Sequence, residues 1–281
     1  VKANRPFPPL HGARSPAPGD YDAFLRSTLP QQAPGVGSLR IGNERVWLRK
    51  AGPRHGQLRY RLLAALARTL RLDVLMPVPN PGGDIAIAIE AQRLVQLRAA
   101  GLRVPRVLAR QPGGLLISDL GQSGRITITL LERLEHAAIE SPAALLEAWH
   151  DGLIAISIVH ARGQYLSQAF ARNMVQCADG VIGYIDFEDD PGATLSLAQC
   201  QTRDWLSYLH STAALIDAAA PHAAGTHWQA AIADGSEEVQ TRVAHAARRM
   251  RWLQHLPAGR RWGRDTQRVR AAARLLGRWH P

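Results

Sequence analysis

The sequence predicts an α+β chain in two lobes, a small strand-rich lobe followed by a larger helical one. Three observations predict it: short apolar runs broken by Gly and Pro crowd the first half, long runs of helical period fill the second, and no βαβ alternation or internal repeat links them. With 281 residues and 46% hydrophobic content, the chain can bury a substantial core.

The opening VKANRPFPPLHGARSPAPG is proline-rich without an apolar signal core, so residues 1–37 read as a loose N-terminal arm. SLRIGNERVWLRKAG, Ser38 to Gly52, reads as a hairpin turning at Gly42-Asn43. Residues 57–72 set Leu58, Leu62, Leu66 and Leu70 opposite Arg61, Arg68 and Arg71, an amphipathic basic helix. After a break from Pro77 to Gly83, IAIAIEAQRLVQLRAAG forms a second helix ending at Gly101. From Pro105, two short strands turn at Pro112-Gly113-Gly114 and complete a small lobe over 38–121.

Residues 122–281 form the helical lobe. LLEAWHDGLIAISIVHARG aligns Leu145, Trp149, Ile156 and Val159 on one face and closes at Gly163. Two apolar strands follow, NMVQ and VIGYID, joined by Ala178-Asp179-Gly180. From Leu195 the chain is helical, with Trp205, Leu209 and Ile216 as core. The basic C-terminal helices mix arginine with Trp252, Trp262 and Trp279, a composition that either grips RNA or phosphosugars or packs its tryptophans on the lobe.

The net charge of +11, mostly arginine, suits an anionic partner such as nucleic acid, a phosphorylated substrate or an acidic membrane surface, and equally a solvated basic surface. For residues 57–72 the choice lies between membrane attachment and ordinary packing. Cys177 and Cys200 are too few for a disulfide framework, and no run of about eighteen apolar residues spans a bilayer, so a cytoplasmic protein, at most peripheral at the inner membrane, is expected. His55, His150, His160 and His210 lack metal-ligand spacing; His160 is expected to steady the loop that follows it. No G-x-S-x-G elbow, Walker A loop or paired-cysteine zinc motif is present.

The informative feature is an order: Lys50 at a strand end, Glu90 on the next helix, Asn173 after a helix and loop, and Asp186 after a hairpin, thirteen residues beyond Asn173. Each residue type suits phosphoryl transfer, in which positioning and charge neutralisation dominate. A strand lysine can reach phosphates and a helical glutamate can hold it. Asn173 and Asp186 can offer hard oxygens to Mg²⁺.

VWLRK, EAQRLVQLRAAGLRVPRVL, LLISDLG, IVHARG, RNMV and YIDFEDD together resemble the protein-kinase-like superfamily, most closely the small bacterial atypical kinases that include the Kdo and lipopolysaccharide core kinases. The resemblance covers roughly residues 38–211. It implies a two-lobed protein-kinase-like fold and a Mg²⁺- and ATP-dependent phosphotransferase acting on a hydroxyl of a lipopolysaccharide-type sugar, a small molecule or a protein. It further implies that Lys50 binds phosphate, Glu90 pairs with Lys50, Asn173 and Asp186 hold Mg²⁺, and Asp204 anchors the catalytic-loop backbone.

The sequence departs from the family at Gln168, which stands five residues before Asn173, where the proton-accepting aspartate belongs. An amide cannot accept that proton. Three readings follow: Gln168 only orients the nucleophile; Glu188, Asp189 or Asp190 supplies the carboxylate; or the chain is a pseudokinase that binds nucleotide as a regulatory module or transfers AMP, as the selenoprotein O pseudokinases do. Asp189 and Asp190 also read as supporting or surface charges. The nucleotide-covering glycines, Gly35, Gly37 and Gly42, do not make a full G-x-G-x-x-G. A further class, an RNA- or acidic-lipid-binding protein, rests on the basic tail.

Overall fold

The first element is a helix where the sequence predicts a loose arm. After the N-cap Asp20, whose carboxylate accepts from the Ala23 amide at 2.9 Å, Tyr21, Phe24, Leu25 and Leu29 recur at helical spacing and build α1 (Tyr21–Thr28). The structure, a computed structural model, describes residues 20–52, 82–121, 127–257, 259 and 262–279. The expected basic helix at 57–72, and His55, lie outside the described residues.

Strands β1 (Gly35–Ile41) and β2 (Glu44–Lys50) form the expected hairpin, which starts at Gly35 rather than Ser38. Its two-residue turn relies on Gly42 at φ 58. Strands β3 (Val107–Gln111) and β4 (Gly114–Ser118) add a second hairpin, turning through Gly113 at φ 75, and the antiparallel sheet runs β1-β2-β4-β3. Strand β4 is buried along its whole length because both faces are covered. Helix α1 lies over Val46, Leu48 and Leu116. Helix α2 (Gly83–Ala99) presents Ile87, Ala91 and Leu94 to Leu115 and Ile117 on the opposite face.

The core beneath α2 runs on without a break into the helical part of the molecule. There α3 (Leu130–Glu140) starts at a Thr129/Glu132 capping box and α4 (Pro142–Ala161) at Ser141. Short strands β5 (Ile128–Thr129), β6 (Met174–Gln176) and β7 (Ile182–Tyr184) make a second antiparallel sheet. Helix α5 (Leu197–Ala219), opened by a Ser196/Gln199 capping box, is followed by α6 (Pro221–Ala233), α7 (Glu237–Met250) and α8 (Arg264–Leu276). The class is α+β, strands mainly first and helices mainly after, as the sequence predicts.

Helix α4 is long and apolar enough to cross a membrane by composition alone, the only such helix among the described residues. Here Leu145, Trp149, Leu153, Ile156 and Val159 are instead buried in protein. The expected core residues Trp205, Leu209 and Ile216 are buried beside them, and the Trp205 and Trp228 rings meet edge to face at 5.7 Å. Cys177 and Cys200 are buried and unbridged. The C-terminal tryptophans divide: Trp279 is buried, whereas Trp252 and Trp262 are each 52% exposed.

Helices α4 and α5 approach closely at Gly152, where an added Cβ would lie 2.6 Å from the Tyr208 ring carbon Cζ and 2.8 Å from Leu130 Cδ2. Tyr208 is fixed there, because its buried hydroxyl donates to the Trp149 carbonyl at 2.7 Å. Gly152→Ala gains about 1 kcal/mol of helix propensity. It overpacks a crossing that cannot give way, at a cost of typically about 1–3 kcal/mol, so a net loss of up to about 2 kcal/mol in urea denaturation is expected.

Candidate functional site

Strand parity decides which side chain of β2 reaches the space beneath α2. Val46 and Leu48 point toward α1, so Lys50, two residues on, points the same way, and its Nζ donates to the Pro30 carbonyl at 3.3 Å. Arg49 takes the opposite face. Its Nη1 reaches Glu90 Oε1 at 2.9 Å, and its Nη2 reaches Asp186 Oδ1 at 3.1 Å and Glu188 Oε2 at 2.8 Å. The expected Lys50–Glu90 pair is therefore corrected to Arg49–Glu90. Alternation along a strand puts neighbours on opposite faces, and only Arg49 shares a face with α2.

One guanidinium serving three carboxylates leaves this knot with a formal charge of −2. Glu90 is 2% exposed, and burial pushes its carboxyl up to about 7 even though Arg49 pulls the other way. Its Oε2 is buried without a hydrogen-bond partner. Glu188 is likewise raised, first by burial and then by Asp186 and Asp189. For Arg49 burial opposes the charge, but the surrounding acids outweigh it and hold the guanidinium protonated.

The β6–β7 hairpin brings the two expected metal ligands to one end, where the Ile185 amide donates to the Asn173 carbonyl at 3.0 Å. Asn173 is buried, and its Nδ2 donates to the Gln168 carbonyl at 3.1 Å. Asp186 sits at φ 73, a left-handed conformation that Asp and Asn tolerate better than most residues. It is the kind of local strain that concentrates at functional positions.

The loop between α4 and β6 is held from below by α5. Asp204 is fully buried; its Oδ2 accepts from the Leu166 amide at 2.8 Å and lies 3.1 Å from His160 Nε2. Gln201 adds bonds to the His160 and Gln164 carbonyls at 3.2 and 3.1 Å. These contacts hold Ser167 at φ 47. His160 and Asp204 thus steady this loop, the place the sequence suggests for both.

The run Glu188-Asp189-Asp190 is not a solvated charge run. Glu188 binds Arg49, Asp189 Oδ2 accepts from the Gln168 side-chain amide at 2.5 Å, and Asp190 accepts from the Tyr165 hydroxyl. Tyr165 carries the Arg93 guanidinium 4.0 Å above its ring, and Arg93 also donates to the Tyr165 carbonyl at 2.9 Å. Helix α2 is tied in this way to both the loop and the acidic run. The structure brings Glu90, Asp186, Asn173 and Gln168 into one chain of contacts and leaves Lys50 out.

Sequence reasoning missed Arg49, Arg93 and Tyr165. The alternation of Val46 and Leu48 was the available signal for Arg49; nothing local marked the other two. Among the described residues no three His, Cys, Asp or Glu side chains are grouped to hold a metal ion by themselves. No protein-family model matches the chain and no curated protein matches it, so the fold and this geometry carry the functional argument.

Proposed function

We propose that the chain is a Mg²⁺-dependent nucleotide phosphotransferase with a two-lobed protein-kinase-like fold, in which Arg49 takes the part expected of Lys50. One observation carries this reading: a single strand cation bridges a glutamate on the covering helix and the aspartate that follows the β6–β7 hairpin. A guanidinium is suited to phosphate oxygens by its fork of donors and permanent charge. The net negative knot around Asp186, with the unpartnered Oε2 of Glu90 beside it, favours an arriving cation.

Asn173 and Asp186 are the residues that would hold Mg²⁺, since few protein oxygens suit an ion that completes its shell with phosphates and water. Bound there, the ion would supply charge neutralisation. The chain's own residues do the rest. Arg49 exchanges a carboxylate for phosphate, Glu90 keeps the guanidinium aimed, and Asp204 fixes the loop that carries Gln168 and Asn173. The acceptor is a hydroxyl on a lipopolysaccharide-type sugar, a small molecule or a protein.

A second reading, nucleotide binding without phosphoryl transfer or with AMP transfer, is favoured by the amide at Gln168. Incubation with γ-labelled and α-labelled ATP plus Mg²⁺ separates the readings. Transfer of γ-label to a hydroxyl or to water supports the phosphotransferase, α-label supports AMP transfer, and nucleotide binding with neither supports the regulatory module. Mg²⁺-ATP is expected to raise Tm, since saturation at a hundred times Kd adds about 2.7 kcal/mol. Asp186→Asn keeps the tolerance for positive φ but removes the charge, and should weaken Mg²⁺-ATP at least about tenfold. A wild-type protein with no Mg²⁺-ATP shift would sink the reading.

A further inference from the structure

We infer that Asp189 is the proton-accepting residue of this site and that Gln168 positions it, an assignment that rests on the phosphotransferase reading above. The Gln168 side-chain amide donates to Asp189 Oδ2 at 2.5 Å, so a carboxylate stands beside the loop position that otherwise lacks one. Glu188 faces Arg49 and Asp190 faces Tyr165, so Asp189 is the acid of this run that meets Gln168. Phe187, buried in the core, roots the segment that carries all three.

This arrangement explains why an amide occupies position 168. A second carboxylate there would face Asp189 at hydrogen-bond distance, and two such groups cannot both stay ionised. An amide instead donates, which orients Asp189 and favours its charged form. Gln168 is itself held in register, because its backbone carbonyl receives the Asn173 side-chain amide at 3.1 Å. Arg203 on α5 lies near enough for its charge to interact with that of Asp189. The base thus comes from the segment after β7 and its orienting group from the loop.

In the step this implies, the acceptor O–H bond breaks and its proton passes to an Asp189 oxygen. The acceptor oxygen forms a bond to the γ-phosphorus of a nucleoside triphosphate. The bond from that phosphorus to the bridging oxygen breaks, and its electron pair leaves with the nucleoside diphosphate.

The test uses the full chain with Mg²⁺, γ-labelled ATP and water as acceptor, reading released labelled phosphate and, separately, the Mg²⁺-ATP thermal shift. Asp189→Asn should lower phosphate release about 10²–10⁴-fold while leaving Mg²⁺-ATP affinity within about threefold, a ratio far too small to explain such a loss. The exchanged pair, Gln168→Glu with Asp189→Asn, keeps one amide and one acid at the present side-chain lengths and should recover at least about tenfold of that loss, part of the usual worth of a positioned base. It also keeps the proposal testable if Asp189→Asn alone unfolds. Near-wild-type release by Asp189→Asn with intact binding overturns the assignment and leaves the phosphotransferase reading standing. So does an exchanged pair that binds and recovers nothing. A wild-type protein that binds Mg²⁺-ATP yet passes γ-label neither to water nor to a candidate acceptor hydroxyl overturns both.

Discussion

Arg49→Ala is expected to destabilise the protein by about 3–5 kcal/mol, the usual cost of removing one partner from a buried ion pair. It also abolishes the Mg²⁺-ATP shift. The substitution strips Glu90 of its partner and leaves Asp186 and Glu188 facing it with no cation between them. The sign with pH follows from Glu90, whose carboxyl burial already raises to about 7. In the variant that carboxyl, relieved of the Arg49 charge that pulls it down, rises further and takes up a proton more readily as pH falls, so the loss is smaller toward acid pH and larger toward alkaline pH. Urea denaturation at pH 6 and pH 8 reads both. Lys50→Ala, which gives up only an exposed bond to the Pro30 carbonyl, should stay within about 0.5 kcal/mol. Arg49→Lys should fall between, because an ammonium cannot span three carboxylates as a fork can. Equal effects at positions 49 and 50 would refute the parity assignment.

Asp204→Ala comes next in size, at about 2–4 kcal/mol, since it leaves the Leu166 amide and His160 without their shared acceptor in a buried place. The functional loss should exceed the stability loss. Asp204 touches no reacting group, but it holds the backbone on which Ser167 adopts φ 47 and from which Gln168 reaches Asp189. Phosphate release should fall at least about a hundredfold, the scale on which a small misplacement of catalytic groups acts. Asp204→Asn retains an oxygen for the Leu166 amide and should keep most of the stability. Hydrogen exchange at Leu166 distinguishes them, being fast in the alanine variant and protected in the asparagine variant.

Local rules made much of this molecule legible. The hairpin around Gly42, the turn at Gly113, the apolar face of α4 and the thirteen-residue interval between Asn173 and Asp186 depend on contacts between near neighbours. Turn chemistry and the periods of strand and helix encode those directly. Helix α1 was obscured because eight residues beside a proline-rich stretch carry too little periodic signal, although the spacing of Tyr21, Phe24, Leu25 and Leu29 was present. The fates of Trp252, Trp262 and Trp279 could not be read at all, since each depends on which surface the last helix covers.

The sequence alone pointed to the α+β class, to the order of most elements after α1, and to Glu90 on a helix with Asn173 and Asp186 flanking a hairpin. Only the tertiary structure decided that Arg49 and not Lys50 meets them, because the face of the sheet that α2 covers is a long-range outcome with two local solutions of equal merit. The partner of Gln168 was decided in the same way. Its contact with Asp189 joins residues twenty-one positions apart, across two elements whose approach is governed by packing on Asp204 and Phe187 rather than by any spacing along the chain.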